Sequence, residues 1–278
     1  MNTQDSAAPR VKMTVGQIMK KALVLGVGGA KGFAHVGAIQ ALEEIGWRPD
    51  LVVGASMGSI IGALYCSALT IKEIRNECET WDQFKFARMA TPTLSTQAPL
   101  SGKGLIAHLK KITGDPDFKD LKIPLALIAT EADTGYKIVI SSGNVASAVR
   151  GSAAILGVFT PHPWGKTHIT DGGLVEPLPV RTARELGADY VLAVDVLGEM
   201  PKDLAHAPLG PRIYMKSVAM YQRALTRLAI EQADLVIQPD MSSVTWGDFK
   251  RARSAIQRGY EAAQEVISRR GLAAMSGL

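Results

Sequence analysis

The chain has 278 residues, of which 47% are hydrophobic and 21% charged, and its formal net charge is +5. These values fit a globular protein with one large domain and a sizeable core, and they exclude a disordered or collagen-like chain. The basic residues accompany no zinc-finger, homeodomain or RNA-binding signature, so no nucleic acid is expected as a partner.

Residues 1–20 are predicted to be a flexible lead-in, followed by a single domain over residues 21–278. The first dozen residues, MNTQDSAAPRVK, are polar and unlike a secretory signal. Only two cysteines occur, Cys66 and Cys78, which provide neither a disulfide framework nor a metal-ligand cluster. Both observations favour a reducing cytoplasm. The basic segments at 10–21 and 250–270 are typical of solvated helix faces, and the alternative is peripheral contact with the anionic inner face of a membrane.

Short apolar runs and amphipathic segments alternate along the domain. The apolar runs predict strands at 22–26, 51–55, 124–130, 136–141, 190–196 and 234–238. The amphipathic segments predict helices at 33–47, 57–69, 71–84, 212–232 and 247–269. This alternation predicts the α/β class, with three layers, α/β/α, around a mainly parallel central sheet. Residues 91–104, rich in Pro, Ser, Thr and Gly, predict a long loop of the kind that forms lids.

Residues 51–71 contain no charged side chain and are long enough to cross a bilayer. Glycines and serines interrupt this stretch where a strand turns into a helix, and unpaired backbone groups at such a turn are costly in lipid. We therefore expect a buried strand and a buried helix that meet at Ser56.

Ser56 lies at the centre of Gly54-Ala55-Ser56-Met57-Gly58, which matches the pattern G-x-S-x-G between a predicted strand and a predicted helix. In this context the pattern is typical of a nucleophile elbow, because small residues permit the sharp turn that exposes the serine hydroxyl. The alternative is a serine that caps the helix, with glycines present only for packing.

A glycine-rich turn follows the first predicted strand, at 26–32. It is not a Walker loop, because Lys31 precedes Gly32 and no serine or threonine follows the pair. It is not a dinucleotide fingerprint, because Lys31 takes the place of the third glycine and the second strand ends without a carboxylate. Two possibilities remain: an oxyanion hole built from the amides of about Gly28 and Gly29, or a plain tight turn.

A serine nucleophile needs a base, and Asp171 in 169-ITDGGLVEPLP-179 is the strongest candidate. Gly172 and Gly173 permit a close approach, and burial or a direct bond to the serine would adapt the carboxylate to this task. A plain turn is the alternative, and Glu131, Asp133 and Asp195 are the other candidate bases. None of the five histidines has a convincing position: His35, His108, His162, His168 and His206.

Three blocks, G-V-G-G-A-K-G at 26–32, G-A-S-M-G at 54–58 and D-G-G at 171–173, together closely resemble the patatin-like phospholipases. The similarity is best to small bacterial members related to the neuropathy target esterase group, and it covers about residues 20–200. The resemblance implies a patatin-like fold and a Ser–Asp dyad with Ser56 as nucleophile and Asp171 as base. It implies hydrolysis of phospholipid, lysophospholipid or related lipid esters through an acyl-serine, without metal or cofactor.

The resemblance also implies an oxyanion hole at Gly28 and Gly29, with Lys31 in the family's Arg/Lys position. The supporting motif glycines are Gly26, Gly32, Gly54, Gly58, Gly172 and Gly173. Two positions depart from the family: Val27 replaces a frequent glycine, with its amide still expected to donate, and Leu156 replaces a proline near the acyl pocket. Two alternatives remain, an acyltransferase or thioesterase with the same dyad and a catalytically weak, membrane-associated regulatory protein.

Overall fold

A computed structural model describes residues 19–198 and 209–270 of the protein. All but the last two positions of the predicted lead-in lie outside the described residues, as does His206. The strands are β1 (Lys21–Leu25), β2 (Leu51–Ala55), β3 (Leu125–Glu131), β4 (Lys137–Ile140), β5 (His162–Trp164), β6 (Thr167–Asp171), β7 (Tyr190–Val194) and β8 (Leu235–Ile237). The helices are α1 (Ala34–Glu44), α2 (Met57–Cys66), α3 (Ile71–Glu79), α4 (Gln83–Ala90), α5 (Lys103–Thr113), α6 (Val145–Ser152), α7 (Val180–Glu185), α8 (Leu209–Ile230) and α9 (Ala252–Arg270).

One mixed sheet organises the fold, in the order β5-β6-β3-β2-β1-β7-β8, with β4 also paired to β3. Strands β3, β2, β1, β7 and β8 run parallel to one another. Strands β4 and β6 run antiparallel to β3, and β5 runs antiparallel to β6. The prediction of a mainly parallel central sheet is therefore confirmed, with antiparallel pairs added around β3.

Helices cover both faces of the sheet, as alternate residues of β1 show. Leu23 and Leu25 belong to an apolar core that includes residues of α1, α2 and α9. Ala22 and Val24 point the other way, into a second core with residues of α7. Because successive strand residues face opposite sides of a sheet, these two cores define the three predicted layers.

The uncharged stretch at 51–71 is buried inside the protein from residue 51 to residue 66. All residues of β2 and all residues of α2 are buried, and the chain turns between them at Ser56. Within the described ranges, no helix is both long and apolar enough to cross a membrane. The stretch is uncharged because a central strand and a core helix follow one another.

Some predicted elements differ from the observed ones. The predicted helix at 71–84 is two helices, because the Asp82 side chain accepts a hydrogen bond from the Lys85 amide and starts a new helix. The predicted loop at 91–104 ends at Gly102, whose left-handed backbone precedes α5. The β5–β6 hairpin was not expected, because the three residues of β5, His-Pro-Trp, carry no alternating apolar pattern.

Candidate active site

Ser56 lies at the turn between β2 and α2, with φ of +53° and ψ of −120°. A non-glycine residue held in a sparsely populated backbone region costs about 1–3 kcal/mol. The turn is tight because a Cβ on Gly54 would lie 2.6 Å from the Gly58 carbonyl oxygen, and a Cβ on Gly58 would overlap the Leu25 carbonyl. Both pattern glycines are therefore required by packing. Ser56 precedes α2 as its N-cap, yet its side chain makes no capping bond.

The Ser56 hydroxyl instead donates a hydrogen bond to Asp171: its Oγ lies 2.7 Å from Asp171 Oδ2. The second carboxylate oxygen, Oδ1, accepts the amide of Gly173 at 2.7 Å. Both side chains are buried. The structure thus brings together the serine and the aspartate that the sequence singled out, with both oxygens of the carboxylate engaged.

The β-sheet fixes Asp171 at the end of β6. Its amide donates to the Ala154 carbonyl at 2.9 Å, and its carbonyl accepts the Thr130 hydroxyl at 2.8 Å. Gly172 must be glycine, because a Cβ there would overlap the carbonyl of Ile128 in β3. The D-G-G block is therefore a close approach of two chain segments, and it is more than a surface turn.

Burial raises the pKa of Asp171 to about 6, although the hydrogen bonds from the Ser56 hydroxyl and the Gly173 amide lower it. A carboxylate is an effective general base when its pKa lies near the working pH. The environment of Asp171 therefore shifts this carboxylate toward the range that proton transfer at neutral pH requires.

The amides of Gly28 and Gly29 donate no hydrogen bond to any group in the described part of the chain. Ala30, which follows them, donates to the Trp246 carbonyl at 2.8 Å. Gly29 has a φ of +55°, and a Cβ there would overlap the ring of Trp246, so only glycine fits. Both glycines line a cavity with Ser56. Two free N–H groups beside a buried serine are the donors that an oxyanion hole needs.

Val27 differs from these two glycines, because its amide donates to the Pro177 carbonyl at 2.9 Å. The Val27 amide does donate, as expected, but its acceptor is a backbone carbonyl of the protein. The bond attaches the loop to the segment after the D-G-G block. The Val27 side chain is buried and contributes to the second core.

Lys31 lines the same cavity, but its ammonium group donates to a backbone carbonyl of the protein. Its Nζ donates to the Leu197 carbonyl at 2.9 Å, and its amide donates to the Gly28 carbonyl at 3.2 Å. Burial and the nearby positive charge of Arg223 lower the pKa of Lys31. The Nζ bond connects the glycine loop to the chain that follows β7, and the amide bond closes a turn within the loop.

His35 forms a hydrogen bond with the backbone at the start of the glycine loop. Its Nε2 donates to the Gly26 carbonyl, with 2.8 Å between the two atoms; the nitrogen must carry the hydrogen because a carbonyl only accepts. The ring is fully buried, and burial lowers the pKa of His35 to about 4, so the ring is neutral at pH 7. Gly32 lies against Met57, where a Cβ would overlap the methionine side chain.

Two cavities meet at Ser56. The narrow cavity encloses about 510 Å³, including its open part, and it has no charged lining residue. Its aromatic lining residues are Trp81, Phe86, Phe159, Trp246 and Phe249. The wide cavity, about 1510 Å³ on the same measure, contains Ser56, Asp171 and the two glycine amides. Its polar lining on the α8 side comes from Tyr214, Gln222 and Arg223.

The other candidate bases, Glu131, Asp133 and Asp195, line neither cavity. No histidine in the described ranges lines either cavity. Asp195 accepts from the Leu197 amide and the Gln238 side chain, and Glu131 binds Thr134 and Thr167. No group of three or more His, Cys, Asp or Glu side chains in the described part of the chain is arranged to hold a metal ion.

A sequence model described as patatin-like phospholipase matches residues 23–184. The chain belongs to the patatin-like phospholipase family. A Mycobacterium tuberculosis protein named as an uncharacterized NTE family protein is 31% identical over 198 residues, which cover 71% of this chain and 52% of that protein. Human patatin-like phospholipase domain-containing protein 6 is 31% identical over 229 residues, covering 80% of this chain and 16% of that protein. The chain thus spans about half the length of the mycobacterial relatives, 52%.

The fold agrees with this family. VipD from Legionella pneumophila has a TM-score of 0.56 at 15% identity, and the match covers 90% of this chain and 67% of that one. The predicted patatin-like α/β fold and the resemblance to the neuropathy target esterase group are therefore confirmed.

Several residues that line the two cavities were not found from the sequence. Trp246 lines both cavities, and Tyr214, Gln222 and Arg223 extend from α8. Leu156, the second departure from the family pattern, lines the wide cavity, and its carbonyl accepts the Tyr214 hydroxyl at 2.7 Å. These residues come from distant parts of the chain and carry no local motif.

Proposed function

We propose that the protein hydrolyses acyl esters of phospholipids, lysophospholipids or related lipids through a Ser–Asp dyad and an acyl-serine intermediate. The observation that carries the proposal is the 2.7 Å hydrogen bond from Ser56 Oγ to Asp171 Oδ2, at the point where the narrow aromatic cavity meets the wide cavity. Membership of the patatin-like phospholipase family supports a lipid as the substrate.

In the first half-reaction the Ser56 oxygen attacks the ester carbonyl carbon, and its proton passes to Asp171 Oδ2. The Gly173 amide holds the other carboxylate oxygen, so the base keeps its orientation while it takes the proton. The C–O bond to the leaving alcohol then breaks, and Asp171 returns the proton to that alcohol. The acyl group remains on Ser56 as an ester.

The carbonyl oxygen becomes negative in the tetrahedral intermediate, and the amides of Gly28 and Gly29 donate to it. Loss of a single oxyanion donor in other hydrolases costs on the order of 10²–10³ in rate. The surrounding bonds of Val27 and Ala30 hold the two glycines in place before substrate arrives.

In the second half-reaction water attacks the acyl-serine. Asp171 accepts a proton from the water, the bond from the acyl carbon to Ser56 Oγ breaks, and the serine oxygen regains its proton from Asp171. The products are a fatty acid and the free enzyme. An alcohol in place of water would give acyl transfer.

The two cavities suit different ends of the substrate. The aromatic cavity suits an acyl chain, because burial of apolar surface contributes about 25 cal/mol per Å². The lining of the wide cavity is mostly apolar, and its polar side chains, among them Lys31, Arg223 and Tyr214, suit the polar leaving group. We further propose that the enzyme takes its substrate from the anionic inner face of a membrane, as a cytoplasmic, peripheral protein.

The test compares wild type with Ser56→Ala and Asp171→Asn on a short-chain acyl ester, a lysophospholipid and a phospholipid. Each variant should lose at least about three orders of magnitude in kcat. A fluorophosphonate probe should label wild type at Ser56 and should not label Ser56→Ala. Equal hydrolysis by wild type and Ser56→Ala would overturn the proposal.

Two further measurements separate the alternatives. Product analysis with an added alcohol or lysolipid acceptor detects acyl transfer, because a transferase produces a new ester where a hydrolase produces fatty acid. A protein that neither hydrolyses these esters nor reacts with the probe would instead be a regulatory member of the family.

A further inference from the structure

Helix α8 (Leu209–Ile230) presents an apolar face to solvent. Four large apolar or aromatic side chains on it are half exposed or more: Ile213 at 55%, Met220 at 58%, Tyr221 at 50% and Leu228 at 60%. Their spacing of 7, 8 and 15 residues from Ile213 places them along one side of the helix. A helix packed on a soluble protein ordinarily turns such residues inward, so this side lacks a partner in the described structure.

All charged side chains of α8 are basic. Its sequence contains Arg212, Lys216, Arg223 and Arg227 and no aspartate or glutamate. Lys216 and Arg227 are exposed, and at 3.6 residues per turn they lie along one border of the apolar face. An amphipathic helix with an apolar face and a basic border is typical of a helix that lies in a membrane interface.

The opposite side of α8 faces the active site. Met215, Val218 and Ala219 line the wide cavity that contains Ser56. The Tyr214 hydroxyl attaches this part of the helix to the Leu156 carbonyl. One helix therefore separates the nucleophile's cavity from the unpartnered apolar face.

We infer that the outward face of α8 docks on an anionic lipid bilayer and holds the wide cavity next to the lipid surface. The helix has 22 residues and is thus about 33 Å long, and it would lie flat in the interface. A second copy of the chain fits this face less well, because pairing two α8 helices brings two all-basic borders together, and like charges at an interface oppose association.

The inference rests on the proposed function for its purpose, since a lipid esterase must meet its substrate, but docking itself needs no catalysis. Ser56→Ala protein therefore serves for all binding measurements. It is floated with vesicles of phosphatidylcholine alone and of phosphatidylcholine with phosphatidylglycerol, at low and high salt. We expect binding to the vesicles that contain phosphatidylglycerol, and weaker binding at high salt.

Two double variants test the face and its border. Met220→Asp with Leu228→Asp should abolish flotation with both kinds of vesicle. Lys216→Gln with Arg227→Gln should weaken binding to the anionic vesicles about thirtyfold, because each basic residue near the membrane surface contributes about 1 kcal/mol of binding free energy. Leu186→Asp is the control for an added carboxylate elsewhere: Leu186 is 36% exposed, and its carbonyl accepts the Lys20 side chain beside the start of β1, whereas Ser56 follows the other end of the parallel strands. It should float like the parent.

Activity separates docking from catalysis. With Ser56 restored, the Met220→Asp, Leu228→Asp protein should hydrolyse a water-soluble short-chain ester at the wild-type rate and lose most of its activity on vesicle lipid. Equal unfolding temperatures of variants and parent confirm that each has folded.

Flotation of the Met220→Asp, Leu228→Asp protein to the same extent as the parent would overturn the inference. So would a dimer of the parent that the two Asp substitutions dissociate, combined with no vesicle binding, because the face would then join two copies. Absence of all ester hydrolysis would refute the proposed function and leave the flotation result to decide the docking.

Discussion

Ser56 Oγ lies 2.7 Å from Asp171 Oδ2, although 115 residues separate the two in the sequence. The contact depends on two tight chain turns, one at the end of β2 and one at the end of β6, which the pairing of β3 with both strands brings side by side. Each turn requires glycine, since added side-chain atoms would overlap backbone carbonyls of neighbouring strands. The dyad is thus a product of sheet packing.

The pH dependence of hydrolysis should follow Asp171. A general base acts in its ionised form, and burial raises the pKa of this carboxyl to about 6. We expect kcat/KM to rise about tenfold per pH unit below pH 6 and to become constant above about pH 7. Initial rates on a soluble, uncharged ester over pH 4.5–9 measure this. A rate that stays constant down to pH 4.5 would show that the base has an unperturbed pKa.

Asp171→Asn should abolish hydrolysis and stabilise the fold at neutral pH. The native pKa of about 6 exceeds the ordinary value of 3.8, so the native state binds more protons than the unfolded state between these values. Asp171 therefore lowers stability as pH rises from about 4 to about 6, by on the order of 1–3 kcal/mol in full. An uncharged asparagine avoids this cost.

Urea denaturation at pH 7.5 and at pH 4 checks this expectation. The variant should exceed wild type in free energy of unfolding at pH 7.5, and the difference should shrink or disappear at pH 4. A variant less stable than wild type at both values would mean that the two hydrogen bonds to the carboxylate outweigh its desolvation.

Much of the site was predictable because its signals are local. A strand, a G-x-S-x-G turn and a helix occupy consecutive residues, so the local pattern made Ser56 a candidate nucleophile. D-G-G alone also fits a plain turn, and Asp171 was assigned as base through the resemblance of the three blocks together. The free amides of Gly28 and Gly29 were expected, but the acceptor of the Val27 amide, the carbonyl of Pro177, was not.

The parts that the sequence did not reveal depend on long-range contacts. Trp246 closes over the glycine loop from a segment more than two hundred residues away, through the Ala30 amide. The side of α8 that lines the cavity and the side that faces solvent are both rich in apolar residues. Periodicity therefore predicts the helix at 212–232 and cannot tell which side is buried.

Gly58→Ala should destabilise the protein by about 2 kcal/mol or more, because the added Cβ overlaps the Leu25 carbonyl in the neighbouring strand. The backbone of β1 and α2 cannot separate without disturbing the core between them. Gly247→Ala is the control: a Cβ at Gly247 meets no atom within 4 Å among the described residues, and its φ lies outside the left-handed region. Thermal unfolding of both variants measures this, and an equal loss of stability in the two would contradict the packing argument.

The length of the preferred acyl chain should depend on the aromatic cavity. Leu105 of α5 lines this cavity and is buried, so Leu105→Trp fills part of its 510 Å³ without touching Ser56 or Asp171. We expect kcat/KM for a long-chain ester to fall at least about tenfold, since lost burial of only two or three methylenes accounts for that factor at about 0.8 kcal/mol each. The same variant should hydrolyse a two- or four-carbon ester at nearly the wild-type rate, which serves as the internal control for folding and dyad geometry. Equal losses on short and long esters would mean that the acyl chain lies elsewhere, and the wide cavity would then be its most direct alternative.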